Sequence, residues 1–311
     1  MNRSAHPLRG VIAGSLLLLL LILGGLPASA TATATTRELI DLTGRTVRLP
    51  AEPQRVVSLA PSITELVFAL GRQGLLQGTT QYSSHPPAAR ELPVVGSYIH
   101  PDLERIVALR PDLVLATRDG NPKQTIVQLE RLGIPVFAVD PRTLAEIMQT
   151  ITALGEVLNA QPQAAALVTG MSERIDRVRR TVAGADSRPS VFFQVDAAPI
   201  VSVGEQTFIH ELIVLAGGRN ATAGLSPYPR LGWEEILHLQ PEIVIITSMA
   251  GGHTPQGLLE AWQRWPQLQA VRNGRLHVVE ADLFDRPTDR LVSGLEILAR
   301  IIHPDLFPAR P

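Results

Sequence analysis

Apolar positions along this chain recur in two patterns that alternate: a helical spacing of three and four, and unbroken runs of branched residues. Leu103 to Ala116 shows both. Leu103, Ile106, Val107 and Leu109 make a short amphipathic turn, and Pro111 ends it by lacking an N–H and crowding its predecessor. Asp112 follows, then Leu113-Val114-Leu115-Ala116, a run suited to a strand buried on both faces. The same figure returns 130 positions later, from Trp233 through Pro241 to Ile246. Glu104 and Glu234 thereby become equivalent points on two repeated units. A second echo runs in the same order, Ile63–Gly71 matched by Ile209–Gly217.

Further strands are predicted at Arg55–Leu59, Leu75–Thr79, Ile134–Val139, Ser190–Val195 and Leu276–Val279, and a hairpin over Glu38–Leu49 about Thr43-Gly44-Arg45. Helices are predicted at 64–70, opened by the capping box Ser62-Ile63-Thr64-Glu65, and at 126–132, from Thr143-x-x-Glu146 to Leu154, and over about 289–302. Strands alternating with helices at this spacing imply parallel sheets with right-handed crossovers. Between the halves, Ala164, Leu167, Met171, Ile175, Val178 and Val182 keep helical spacing without a lapse. Some twenty such residues span about 30 Å. The expected fold is therefore α/β: two Rossmann-like lobes, residues 31–160 and 185–311, joined by a single long rigid helix at 161–184, with a ligand cleft between them.

Residues 1–30 stand apart. Arg3 and Arg9 precede an apolar run from Leu16 to Leu23, and Ala28-Ser29-Ala30 supplies small residues for cleavage near Ala30, the pattern of a secretory signal peptide. Losing that segment takes the net charge from −1 to −3, by deleting two arginines and no acids, and nothing in that balance points to nucleic acid. The chain has no cysteine, which excludes disulfides, thiolate metal sites and lipid attachment to an N-terminal cysteine; a soluble periplasmic protein fits best. No Gly-x-Ser-x-Gly elbow, P-loop or Gly-x-Gly-x-x-Gly follows a strand, and the eight histidines lack ligand spacing, so neither an enzyme nor a metal site is expected.

Arg55-Val56-Val57-Ser58-Leu59-Ala60-Pro61-Ser62-x-Thr64-Glu65, the Tyr-x-x-x-Pro-Pro loop at 82–87, the Leu-Glu-x-Ile-x-x-Leu-x-Pro-Asp-Leu-Val repeat and Arg272-Asn273-Gly274 resemble the substrate-binding proteins of iron–siderophore, haem and vitamin B12 ABC importers. The similarity covers about residues 37–304. The His85-Pro86-Pro87 loop, the Asn121 turn, Tyr228-Pro229 and Asp282-x-Phe284-x-Arg286-Pro287 are most similar to the cobalamin-binding members. The resemblance implies a monomer that moves little on binding, performs no chemistry and carries no cofactor of its own. By motif position it implies that Glu104 and Glu234 meet arginines of an ABC permease dimer. It also implies a corrinoid held by Tyr82, His85 and Tyr98 of the first lobe and Tyr228, Asp282, Phe284 and Arg286 of the second. Aromatic rings would stack on the corrin face while Asp282 and Arg286 hydrogen-bond its amide rim. All three tyrosines of the chain fall in these loops. The sequence departs from the family pattern at Thr117 and Leu283, where tryptophans are usual, at His85, where a tyrosine is, and at Tyr98, where a tryptophan is. Haem stays open as an alternative, with Tyr98 or His85 on the iron and Arg286 on a propionate. So does a ferric siderophore, with Arg118 and Arg230 near the loops.

Overall fold

The computed structural model describes residues 1–2, 35–247 and 254–307, so the expected export segment, past its first two residues, lies outside them. Residues from Thr36 onward form one compact unit. It opens on the expected hairpin, β1 (Thr36–Ile40) antiparallel to β2 (Thr46–Pro50). Asp41 ties its turn, accepting from the Thr43 and Arg45 amides at 3.0 and 2.9 Å.

Two parallel four-stranded sheets follow. The first comprises β3 (Val56–Ser58), β4 (Leu76–Gly78), β5 (Leu113–Thr117) and β6 (Val136–Val139), in the order β4-β3-β5-β6. In the second half come β7 (Ser190–Gln194), the short β8 (Asp196–Ala197), β9 (Ile200–Val201), β10 (Arg219–Asn220) and β11 (Arg230–Leu231), then β12 (Ile243–Thr247) and β13 (Leu276–Val279). Their main sheet runs β10-β7-β12-β13, which is the order of the first sheet repeated, while β11-β9-β8 form a small antiparallel sheet beside it.

The helices are α1 (Pro61–Ala69), α2 (Leu103–Ala108), α3 (Lys123–Arg131), α4 (Leu144–Val157), α5 (Gln161–Val182), α6 (Phe208–Leu215), α7 (Trp233–Leu239), α8 (Pro255–Gln263), α9 (Gln269–Arg272) and α10 (Leu291–Ile302). The organising repeat is α2–β5 and α7–β12. In each copy the residue before the proline is left-handed, Arg110 with φ 47° and Gln240 with φ 44°. That turn stops the helix and sends the chain into its strand.

Strand side chains alternate between faces, and here both faces are buried. Val57, Val114 and Val136 point into an outer core of the first half, and Phe192, Val244 and Ile246 into one of the second. Their neighbours Val56, Leu113, Leu115, Val191, Phe193, Ile243 and Ile245 all belong to one inner core. That inner core takes in Ala164, Met171, Val178 and Val182 of α5, so the long helix is packed along its length rather than standing free. Against α4 it comes so close that a Cβ on Gly155 would sit 2.4 Å from the Ala164 methyl. Arg174 ties it to α10 through Glu296 and Ser293, each at 2.9 Å.

One local expectation changes. The Thr143–Glu146 capping box is present, but the one at Ser62–Glu65 is not: α1 starts at Pro61 rather than 64, with Ala60 as its cap and Pro61 in its first turn. Proline is favourable there because its missing N–H has no helical partner to lose. The Glu65 carboxylate is drawn instead toward arginines of the second half.

Candidate functional site

The first-half loops are held by buried polar side chains. Asn121 donates to the carbonyls of Tyr98 (2.7 Å) and Leu59 (2.9 Å) and accepts from the Thr117 amide (2.8 Å). The Tyr98 ring then lies against Gly120, where a Cβ would meet its edge at 2.4 Å; with φ at +104° the position suits glycine twice over. Tyr98 keeps 37% of its surface exposed and Tyr82 52%. Beneath Tyr82, the hydroxyls of Thr64, Thr80 and Ser83 bond one another at 3.0–3.1 Å and fix the loop from below.

Tyr228 is held from the second half, its loop paired to the strand region by Ser202 N–Pro229 O (3.0 Å) and Gly204 N–Pro227 O (2.9 Å). It is 49% exposed, yet the protein crowding it pushes its phenol pKa up. The carboxylates of Asp119 and Asp285 add to that rise and Arg142 opposes it. Asp119 and Arg142 belong to the first half, so charges of the opposite loops reach the Tyr228 phenol.

Arg286 crosses the same gap. Its guanidinium meets Asp282 at 2.8 Å and Glu65 of α1 at 2.5 Å, and donates to the Tyr82 carbonyl (3.1 Å) and Ser84 hydroxyl (3.3 Å). The pair Asp282–Arg286 therefore meets the Tyr82 loop, but the arginine is already engaged with the first half.

Two expected site residues lie elsewhere. Phe284 is wholly buried, its ring 5.6 Å from that of Phe193 and pressed against Gly294. The 3-10 turn over Ala281–Leu283 carries Phe284 inward, so it serves the core and does not line the cleft. His85 lines a cavity of about 290 Å³ with Glu65, Phe68, Gln73, Asp289 and Arg290, and none of the three tyrosines borders it. There it faces Asp289, whose carboxyl is pushed up by burial against the opposing pull of its own backbone, Arg290, Arg174 and His85.

Asp285 was not anticipated. Both its oxygens are buried with no hydrogen bond among the described residues, and burial pushes its carboxyl up to about 7. The Thr247 hydroxyl approaches and opposes the rise, Asp282 adds to it and Arg286 opposes it. Thr247 is itself spent on the Gln194 carbonyl at 3.2 Å. No pattern in the sequence separates this aspartate from Asp282 and Asp289 on either side of it.

Glu104 and Glu234 stand exposed in the first turns of α2 and α7, and neither joins an ion pair among the described residues. Among the described residues no group of three or more potential ligands could hold a metal ion.

Residues 56–283 match the family model described as periplasmic binding protein. The vitamin B12-binding protein of Photorhabdus laumondii is 34% identical over 256 residues, covering 82% of this chain and 90% of that one. The crystal structure of the periplasmic vitamin B12 binding protein of Vibrio cholerae superposes with a TM-score of 0.72 at 29% identity, over 83% of this chain and all of the other. A periplasmic heme binding protein from Pseudomonas aeruginosa does so with a TM-score of 0.76 at 28% identity, over 83% and 95%.

Proposed function

The chain belongs to the periplasmic binding protein family, and on that premise we propose that it captures a corrinoid, cobalamin, between its lobes for delivery to a permease. Its role is substrate binding for an ABC importer, in the periplasm or outside the cell, with a small-molecule ligand and a membrane permease as partners. It is a transport protein rather than an enzyme.

The observation that carries the ligand reading is the placement of the tyrosines. Tyr82, Tyr98 and Tyr228 are the whole tyrosine complement of the chain, all three are exposed, and they come from both halves, with Arg286 bonded to Asp282 and to the Tyr82 carbonyl. Flat rings above and a polar pair at the edge suit a broad apolar macrocycle with an amide rim. The ligand set we propose is Tyr82, Tyr98, Tyr228, Asp282 and Arg286.

Glu104 and Glu234 are the proposed permease contacts. Exposed carboxylates on repeat-related helices give docking register to a twofold partner more than raw affinity. The lobes, residues 31–160 and 185–311, are proposed to act as units about 161–184, in a monomer whose export segment is cleaved near Ala30.

A haem ligand is the second reading, favoured by the Pseudomonas aeruginosa likeness and by the exposed Tyr98. His85 contributes little to it from its separate cavity. Titration of the purified protein with cyanocobalamin and with hemin, followed by calorimetry and absorbance, decides between them. Saturable one-to-one cobalamin binding, lost in Tyr98→Ala/Tyr228→Ala, is expected. A Soret shift with hemin and no response to cobalamin would overturn the corrinoid reading and leave the import role intact.

A further inference from the structure

Glu65 is 3% exposed. A carboxylate at that depth is costly unless charges and hydrogen bonds surround it. Its ionic partners come from the second half: Arg286 at 2.5 Å and Arg290 at 3.3 Å, with the Thr288 hydroxyl at 3.5 Å. The bond to Arg286 fixes the same guanidinium that reaches Asp282 and the Tyr82 carbonyl.

Glu65 also has a counterpart. Ile63-Thr64-Glu65 is echoed by Ile209-His210-Glu211 on α6. Glu211 reaches the other way, accepting the Leu144 amide of the first half at 2.7 Å. The two targets correspond. Leu144 opens α4, the helix after β6, and residues 286–290 lead into α10, the helix after β13. Each half extends a glutamate from the first helix after its opening sheet strand to the entrance of the other half's closing helix.

We propose that Glu65 and Glu211 are a matched pair of positioning residues that hold the lobes together from opposite sides, and that Glu65, which also fixes Arg286, is the one that must release for ligand to exchange. This rests on the import reading for the ligand, though not for the contacts. The two grips differ in kind. Glu65 binds two guanidiniums by charge-assisted bonds in a dry setting, whereas Glu211 accepts one neutral N–H. A glutamine can still accept that N–H at 211. At 65 it leaves two half-buried arginines facing an amide.

The same substitution at the two positions therefore tests the inference. The chain has no cysteine, so Arg131→Cys and Arg264→Cys, both exposed and one in each half, give clean sites for spin labels. Distances between the labels are measured without ligand, and cyanocobalamin dissociation is timed by stopped flow. Glu65→Gln should lengthen and broaden the distance distribution and speed dissociation at least about tenfold. Glu211→Gln should leave both within about twofold of the unsubstituted protein. Arg286→Gln, which removes the same bond from the less buried side, should reproduce the Glu65→Gln distances and serves if Glu65→Gln does not fold. Unchanged distances in Glu65→Gln, or equal effects at 65 and 211, would overturn the proposal. Failure of the unsubstituted protein to bind cobalamin would overturn the ligand reading alone, because the distances are read without ligand.

Discussion

The two copies of the helix–strand repeat share a backbone and almost nothing beneath it. In both, a buried isoleucine (Ile106, Ile236) roots the helix, a left-handed residue ends it, and an exposed glutamate stands in the first turn. The caps differ. Asp102 accepts the Arg105 amide at 3.1 Å, while at α7 the Gly232 amide donates to Glu235 at 2.7 Å. The supports differ more. Aliphatic residues underlie α2, whereas Trp233 and Trp265 stack 5.2 Å apart at α7, with Trp262 edge-on to Trp233. What the halves keep in common is where Glu104 and Glu234 are placed. How each is supported has been free to diverge, as a docking role would require.

The sharpest way to break this comparison is to remove what the halves share. Glu104→Ala/Glu234→Ala should cut uptake in cells by at least about tenfold while calorimetry shows unchanged ligand affinity. Unchanged uptake would sink the docking role. The supports come next. Trp262→Ala should cost about 3–5 kcal/mol in urea unfolding, and Leu129→Ala, in the outer core of the first half, about 2–5 kcal/mol. A near-zero loss at Trp262 would mean that the aromatic stack is dispensable.

A third contrast lies in the segments after the last strands. Asp140 is bridged by Arg118 and Arg142 at 3.7 and 3.5 Å, while Asp285 is buried without a hydrogen bond among the described residues. A carboxyl raised to about 7 in the folded state binds its proton more tightly there than in the unfolded chain, so its contribution to stability falls as pH rises from about 4 to 7. Asp285→Asn should thus stabilise by roughly 2–4 kcal/mol near pH 8 and by little near pH 3.5. Asp140→Asn, whose arginine partners are mostly exposed, should change stability by under about 0.5 kcal/mol. Thermal melts across that pH range check both. The smallest effect is at the left-handed turns. Arg110→Gly should gain about 0.5–1 kcal/mol. Gln240→Gly should gain less, because it also loses the Gln240 amide's bond to the Leu237 carbonyl at 2.8 Å.

Elements were legible in the sequence wherever apolar spacing ran long enough to fix a period. The long helix begins at Gln161, as expected, and ends at Val182, two residues short of 184, and the repeated strands lie where their branched runs stand. Side-chain destinations were legible only in part. Phe284 follows a single 3-10 turn, too short for any periodicity to reveal which way it faces. The spacing Ser62-x-x-Glu65 satisfies a local capping pattern as well as any true cap, and only the arginines some 220 residues away decide against it. Asp285 lies among charged residues at the end of a strand region, and its burial follows from the packing of distant segments.

The tryptophans have one more consequence. The chain has only Trp233, Trp262 and Trp265, and all three lie in one cluster beside α7. Intrinsic fluorescence is therefore a one-sided gauge. Its emission follows the second lobe and the flank of Glu234, and is silent about local changes around Glu104. A permease that engaged the two lobes in sequence would change this signal only when it reached the second.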